Sequence, residues 1–199
     1  MTARLYVEGG GDSKQLKSQC RRGFREFIEK AGLQGRMPRI VACGGRQQAY
    51  DSFATALAAG TSTPMLLVDA EGRVKDASAW EHLRKRDGWP RPGGAHENHC
   101  HLMAQVMESW FLVDRRTLRT FYGPEFHEKP LPSNPRIEQI AKADVLDGLA
   151  RATRNTSKGP YDKGPTSFAI LAEVDPSKVE RSAPHAKRFL DTLRAGGPG

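Results

Sequence analysis

Cysteine is scarce in this sequence. Its three residues, Cys20, Cys43 and Cys100, are scattered and odd in number. They form no CxxC pair and no disulfide framework, which suits a reducing compartment and leaves them as small buried hydrophobes. Long apolar runs are also missing. None approaches the roughly 18–20 residues of a membrane helix, so no membrane association is expected. The opening Met1-Thr2-Ala3-Arg4-Leu5-Tyr6-Val7-Glu8 lacks the apolar core of a signal peptide and reads directly into a strand. A cytoplasmic location is therefore expected. No Gly-x-x-x-x-Gly-Lys-Ser/Thr occurs, so the chain is not itself a P-loop ATPase, and no nucleophile elbow supports serine chemistry. Acids are the minority charge: 23 against 31 Lys plus Arg, a net charge of +8. A basic surface attracts polyanions, and nucleic acid is the natural partner, although solubility alone accounts for such an excess.

What remains is an ordinary globular composition. The chain has 199 residues, 38% hydrophobic and 27% charged, enough for a single domain with a real core. Leu5-Tyr6-Val7 reads as a strand that stops at Glu8-Gly9-Gly10-Gly11. A helix from Ser13 follows, with Leu16, Cys20, Phe24, Phe27, Ile28 and Ala31 on one stripe and Gly32 as a stop. A second strand covers Arg39 to Cys43, and a second helix buries Ala49, Phe53, Ala56 and Leu57. Thr63 to Val68 is a continuous apolar strand, the kind buried on both faces of a parallel sheet. This alternation predicts an α/β fold, with a largely parallel central sheet and helices on both faces.

Beyond Arg73 the pattern weakens. A short helix is expected around Ala79 to Leu83, then a long surface loop through Asp87-Gly88-Trp89-Pro90. A strand near His99 to Met103 is expected to turn into a helix through Met107 and Leu112. Further helices are expected at 115–122, 141–154, 166–173 and about 183–193, so that a helical C-terminal extension begins near 141. The glycine- and proline-rich stretch 155–165 reads as a mobile loop, and the tail 196–199 is expected to fray.

Two motifs place carboxylates where apolar strands end: Val7-Glu8-Gly9 and Val68-Asp69-Ala70-Glu71-Gly72. Open α/β sheets bind ligands outside the carboxyl ends of their strands. If the first and third strands are neighbours, Glu8, Asp69 and Glu71 converge there. Carboxylates that close repel one another unless a cation neutralises them, and hard oxygen donors favour Mg²⁺ or Mn²⁺. Glu108 stands inside an apolar stretch, where a metal or a basic partner would relieve its burial; a solvent-facing position is the alternative. His101 is open between general acid/base, a place near a metal, and a core histidine. His99-Cys100-His101 lacks a second ligand pair at zinc-site spacing. Lys158, Tyr161 and Lys163 lie in the late loop, whose lysines could close over a phosphate. Arg46 and Lys163 are candidate contacts to a nucleic-acid backbone, with Lys158 and the helix residues Arg21, Arg22 and Arg25 as further ones.

Val7-Glu8-Gly9, with Asp12 three residues beyond the glycine, resembles the opening motif of Toprim domains. Those occur in topoisomerases, primases, OLD-family nucleases and small recombination or maturation proteins. Asp69-Ala70-Glu71 resembles their second motif, Asp-x-Asp, with glutamate replacing the second aspartate. Most of the chain, including His101-Leu102-Met103, Met107-Glu108-Ser109-Trp110-Phe111-Leu112 and Lys142-Ala143-Asp144-Val145-Leu146, is similar to a family of small bacterial Toprim-like proteins. Their genes often sit beside ABC-type or SMC-like ATPase genes in phage-defence loci. The resemblance implies a metal-dependent, nuclease-like hydrolase. Glu8, Asp69 and Glu71, with Glu108, are its expected metal ligands, and Lys163 is a catalytic cation. Nucleic acid and an ATPase subunit are its expected partners, and an oligomer is open. Two other classes stand beside it: a non-catalytic subunit that binds an ATPase or nucleic acid, and a phosphotransferase or phosphatase acting on small substrates.

Overall fold

The computed structural model describes residues 3–198. Four strands form one sheet in which every neighbour is parallel: β1 (Ala3–Val7), β2 (Arg39–Ala42), β3 (Thr63–Asp69) and β4 (Cys100–Met103). Their order is β2-β1-β3-β4. The chain therefore steps from β1 to one side, then crosses back over β1 to build outward on the other side. Crossovers of one hand, taken in opposite directions, lay their helices on opposite faces. That is what is found. Helix α1 (Lys14–Ile28), linking β1 to β2, packs on one face. Helices α2 (Arg46–Ala59) and α3 (Ala79–Asp87), linking β2 to β3 and β3 to β4, pack on the other.

Each strand feeds both faces by its period of two. Met65 and Leu67 of β3 join the core under α1, while Leu66 and Val68 join the core under α2 and α3. All four are fully buried, as the continuous apolar run requires. Helix α1 buries Cys20, Phe24, Phe27 and Ile28, and Phe27 stacks on Trp110 with ring centroids 5.1 Å apart. Fully burying side chains of this size contributes about 1.5–3 kcal/mol each.

The C-terminal helices are part of that first core. They are α4 (Arg115–Tyr122), α5 (Lys142–Thr153), α6 (Pro165–Glu173), α7 (Pro176–Ser182) and α8 (Pro184–Arg194). Helix α6 lies directly on α1, and α8 packs against β4. Among the described residues no helix is long and apolar enough to cross a membrane.

Several local expectations are corrected. The stretch after β4 is not an α-helix but a 3₁₀ segment, Met107–Val113. Met107 through Leu112 are all buried, so there is no solvent face to give a helical stripe. Helix α7 has no counterpart in the sequence reading, because seven residues between Pro176 and Pro184 are too few to show a period. The loop after α3 is not wholly at the surface: Trp89 is buried and stacks on Tyr50 at 4.6 Å. The late loop is irregular but anchored. Tyr161 is buried, and its N–H donates to Thr153 Oγ1 at 2.6 Å. At the tail, Gly197 donates to the Thr192 carbonyl at 3.0 Å and is buried with Pro198; the expected fraying of Gly199 lies outside the described residues.

Candidate functional site

The reversal of strand order opens a crevice between the carboxyl ends of β1 and β3. Glu8 follows β1, Asp69 ends β3, and Glu71 lies two residues further on. One oxygen from each lies within 4.8 Å of the others. The backbone brings them together at a cost. Glu71 has φ +63°, the one non-glycine residue with positive φ among the described residues. Such a conformation is strained for glutamate and persists where the surroundings over-determine it. Here the Glu71 N–H donates to the Gln105 carbonyl at 2.7 Å. Glycine serves the opposite wall. Gly9 and Gly44 exchange backbone hydrogen bonds of 2.9 Å, tying the loops after β1 and β2. Gly44 has φ +86°, and a Cβ there would meet Gly11 O at 2.6 Å, so no side chain fits.

Each of the three carboxylates has its own basic partner. Arg46, the first residue of α2, donates to Glu8 Oε2 at 3.1 Å and to the Asp69 carbonyl, while its Nε and Nη2 grip Asp87 at 2.9 and 2.8 Å. Lys142 donates to both Glu71 oxygens at 2.6 Å. Lys163 donates to Asp69 Oδ2 at 3.1 Å, and Asp69 Oδ1 accepts the Met107 N–H at 2.8 Å. Burial pushes the Asp69 carboxyl up to about 7, with Lys163 pulling it down and Glu8 and Glu108 adding to the rise. Burial also disfavours the Glu71 carboxylate, but Lys142 outweighs it and holds Glu71 below the ordinary range. The Lys163 ammonium is disfavoured by burial too, yet Asp69 and Glu108 raise it above the usual lysine value.

Glu108 completes the wall. It is fully buried, which excludes the solvent-facing alternative. Its Oε1 accepts from Tyr161 OH at 2.7 Å and from Ser167 Oγ at 3.4 Å. Its Oε2 has no hydrogen-bond donor and lies 3.6 Å from Lys163 Nζ. Glu8, Asp69, Glu108 and Lys163 line one pocket of about 300 Å³, walled by Gly9, Gly10, Gly11 and Gly44. Glu71 is not part of that wall. The hard oxygen donors and the unpartnered Glu108 Oε2 fit a small divalent cation.

Other expected residues fall elsewhere. Arg46 and Lys163 are beside the centre but engaged with its acids. Lys158 sits over the Phe121 ring, its Nζ 5.1 Å from the centroid. Arg22 and Arg25 pair with Glu26 and Glu29 along α1, at 2.7 and 2.8 Å. His101 is a core histidine: fully buried, its Nε2 donates to Asn98 O at 2.9 Å, and Arg188 faces its Nδ1 at 3.4 Å. Among the described residues the metal-capable group is Glu8, Asp69 and Glu71, and neither His99 nor Cys100 joins one. The sequence reading missed Asp87, Lys142 and Ser167 as partners of the site. A signal existed only for Lys142, a lysine opening a helix.

The family described as Domain of unknown function (DUF4276) matches residues 7–194. The chain belongs to the DUF4276 family. No curated protein and no solved structure matches it. The DUF4276 match runs from the last residue of β1 to the last of α8, so every residue of the acidic centre lies inside the family's span.

Proposed function

We propose that this DUF4276 chain is a metal-dependent, nuclease-like hydrolase of phosphodiesters, with a Toprim-like acidic centre. The observation that supports it is the convergence of Glu8, Asp69 and Glu71 within 4.8 Å at the β1/β3 crevice. Mg²⁺ or Mn²⁺, if held there, would supply a Lewis acid for the phosphate and an activated water. The chain's own groups do the rest. Glu8, partly exposed in the pocket wall, is placed to accept a proton from the attacking water. Asp69 and Glu71 would hold the cation with Glu8, and Glu108 lines the adjoining pocket beside Asp69. Lys163 is half exposed beside Asp69, placed to donate to phosphate oxygens. By its resemblance the chain works in an anti-phage system with an ABC- or SMC-type ATPase partner. The test is purified protein with Mg²⁺ or Mn²⁺ against plasmid, single-stranded DNA and tRNA. Cleavage is expected in at least one arm, and Asp69→Asn is expected to lower it by about two orders of magnitude or more. No cleavage in any arm, with or without the ATPase, sinks the proposal.

One observation favours a second reading, a non-catalytic binding subunit. Glu8, Asp69 and Glu71 are each already paired with a cation, Arg46, Lys163 and Lys142, so the three are held together without a metal. A wild type that binds no divalent cation by titration calorimetry decides for that reading.

A further inference from the structure

Beside the acidic centre lies a second concavity of about 480 Å³, built where three distant segments meet. Arg73 comes from the loop after β3, Arg136 from the turn before α5, and Arg181 from the end of α7. All three are exposed, and none has a carboxylate partner among the described residues. The one acid in the wall, Glu138, is taken by His185: its Oε1 accepts the His185 N–H at 2.9 Å and its Oε2 the ring Nδ1 at 2.8 Å. Unpaired like charges gathered from separate segments repel, so nothing internal to the fold accounts for their meeting.

The concavity is coupled to the centre through Gln105. The Gln105 carbonyl accepts the Glu71 N–H at 2.7 Å, and its Oε1 accepts the Lys142 N–H at 3.3 Å. Its Nε2 reaches the Glu138 carbonyl at 3.5 Å. Arg73 itself is two residues beyond Glu71. By contrast, Arg46 and Lys163 are occupied by the acids they face.

We propose that Arg73, Arg136 and Arg181 bind the phosphodiester backbone of a nucleic-acid strand and lead it across the acidic centre. This rests on the reading of that centre as phosphodiester-cleaving, and makes its substrate a polymer rather than a small phosphoester. Guanidinium groups fork onto phosphate oxygens. The wall offers no phenylalanine, tyrosine or tryptophan for base stacking, so it reads backbone and not sequence.

The test separates this from the chemistry of the centre by measuring binding to metal-free protein in chelating buffer. Anisotropy of a labelled mixed-sequence single strand, and of its duplex, is followed from about 50 to 200 mM salt. Arg73→Gln/Arg136→Gln/Arg181→Gln is compared with a charge-matched variant, Arg151→Gln/Arg154→Gln/Lys187→Gln, altered at exposed positions elsewhere. The first is expected to lose about tenfold or more in affinity, with a salt slope flatter by about one per arginine. The second is expected to lose less than about threefold. Thermal melts check folding, and Arg181→Gln alone, at a helix end, is the milder variant, expected to flatten the slope by about one. Equal losses in the two triple variants, or no strand binding by the wild type, overturn the proposal. Strand binding lost only in the first variant, without cleavage by the wild type, supports the pocket and counts against the chemistry of the centre alone.

Discussion

His101 shows how a single buried side chain ties stability to pH. Its Nε2–H donates to a carbonyl and its Nδ1 faces Arg188, so the ring is held neutral. Burial, then Arg188, push its pKa from 6.5 down to about 3. The unfolded chain protonates this histidine below about 6.5 while the folded chain does not, so the unfolded state binds more protons in that window. Stability is therefore full above pH 6.5 and falls as pH drops toward 3, by an amount on the order of 5 kcal/mol. Urea melts at pH 7, 5 and 4 (about these values) read this directly. His101→Gln is expected to flatten the acid limb. An unchanged limb places the acid sensitivity elsewhere. At this same scale the sequence was uneven as a guide. Glu8 and Asp69 stood out because apolar strands end at them, and a strand end has a fixed place in an open sheet. Their partners did not, because Arg46, Lys142 and Lys163 meet them through the fold and not through spacing. Tyr161, in a glycine- and proline-rich stretch, carried no sign that it would be buried against Glu108.

At the scale of elements, the crossing of α1 and α6 is close. Gly23 lies where they touch, and a Cβ there would stand 2.6 Å from the Phe168 carbonyl oxygen. That contact is backbone, which cannot rotate away. Gly23→Ala is expected to destabilise the fold by about 1–3 kcal/mol, despite alanine's better helix propensity. Chemical denaturation checks it, and an alanine variant as stable as the wild type would show that α6 shifts freely. The strands and helices up to β3 were legible because their periods were clean. The 3₁₀ segment after β4 was not, since a stretch buried on all sides has no period to read.

For the whole molecule, a metal held by the acidic centre as proposed would be linked to folding. Cation binding to the folded chain alone raises its stability by about 2.7 kcal/mol at a hundredfold excess over Kd, some 5–10 °C in Tm for a chain of this size. The carboxyl of Asp69 lies near 7, so protons compete with the cation below that value. The Tm shift with Mn²⁺ is expected to grow between pH 6 and pH 8 (about these values) and to vanish in Asp69→Asn. A shift of the same size at both pH values would mean that Asp69 takes no part.

The packing of α6 on α1 also bears on synthesis. A ribosome releases Glu8 and the apolar face of α1 early, and Lys163, Ser167 and α6 late. Until α6 emerges, the side of α1 at Gly23 that α6 covers is bare, and the pocket lacks Lys163 and the partners of Glu108. No unfinished chain carries the assembled centre. A truncated translation product thus lacks the complete pocket and leaves part of the α1 face bare.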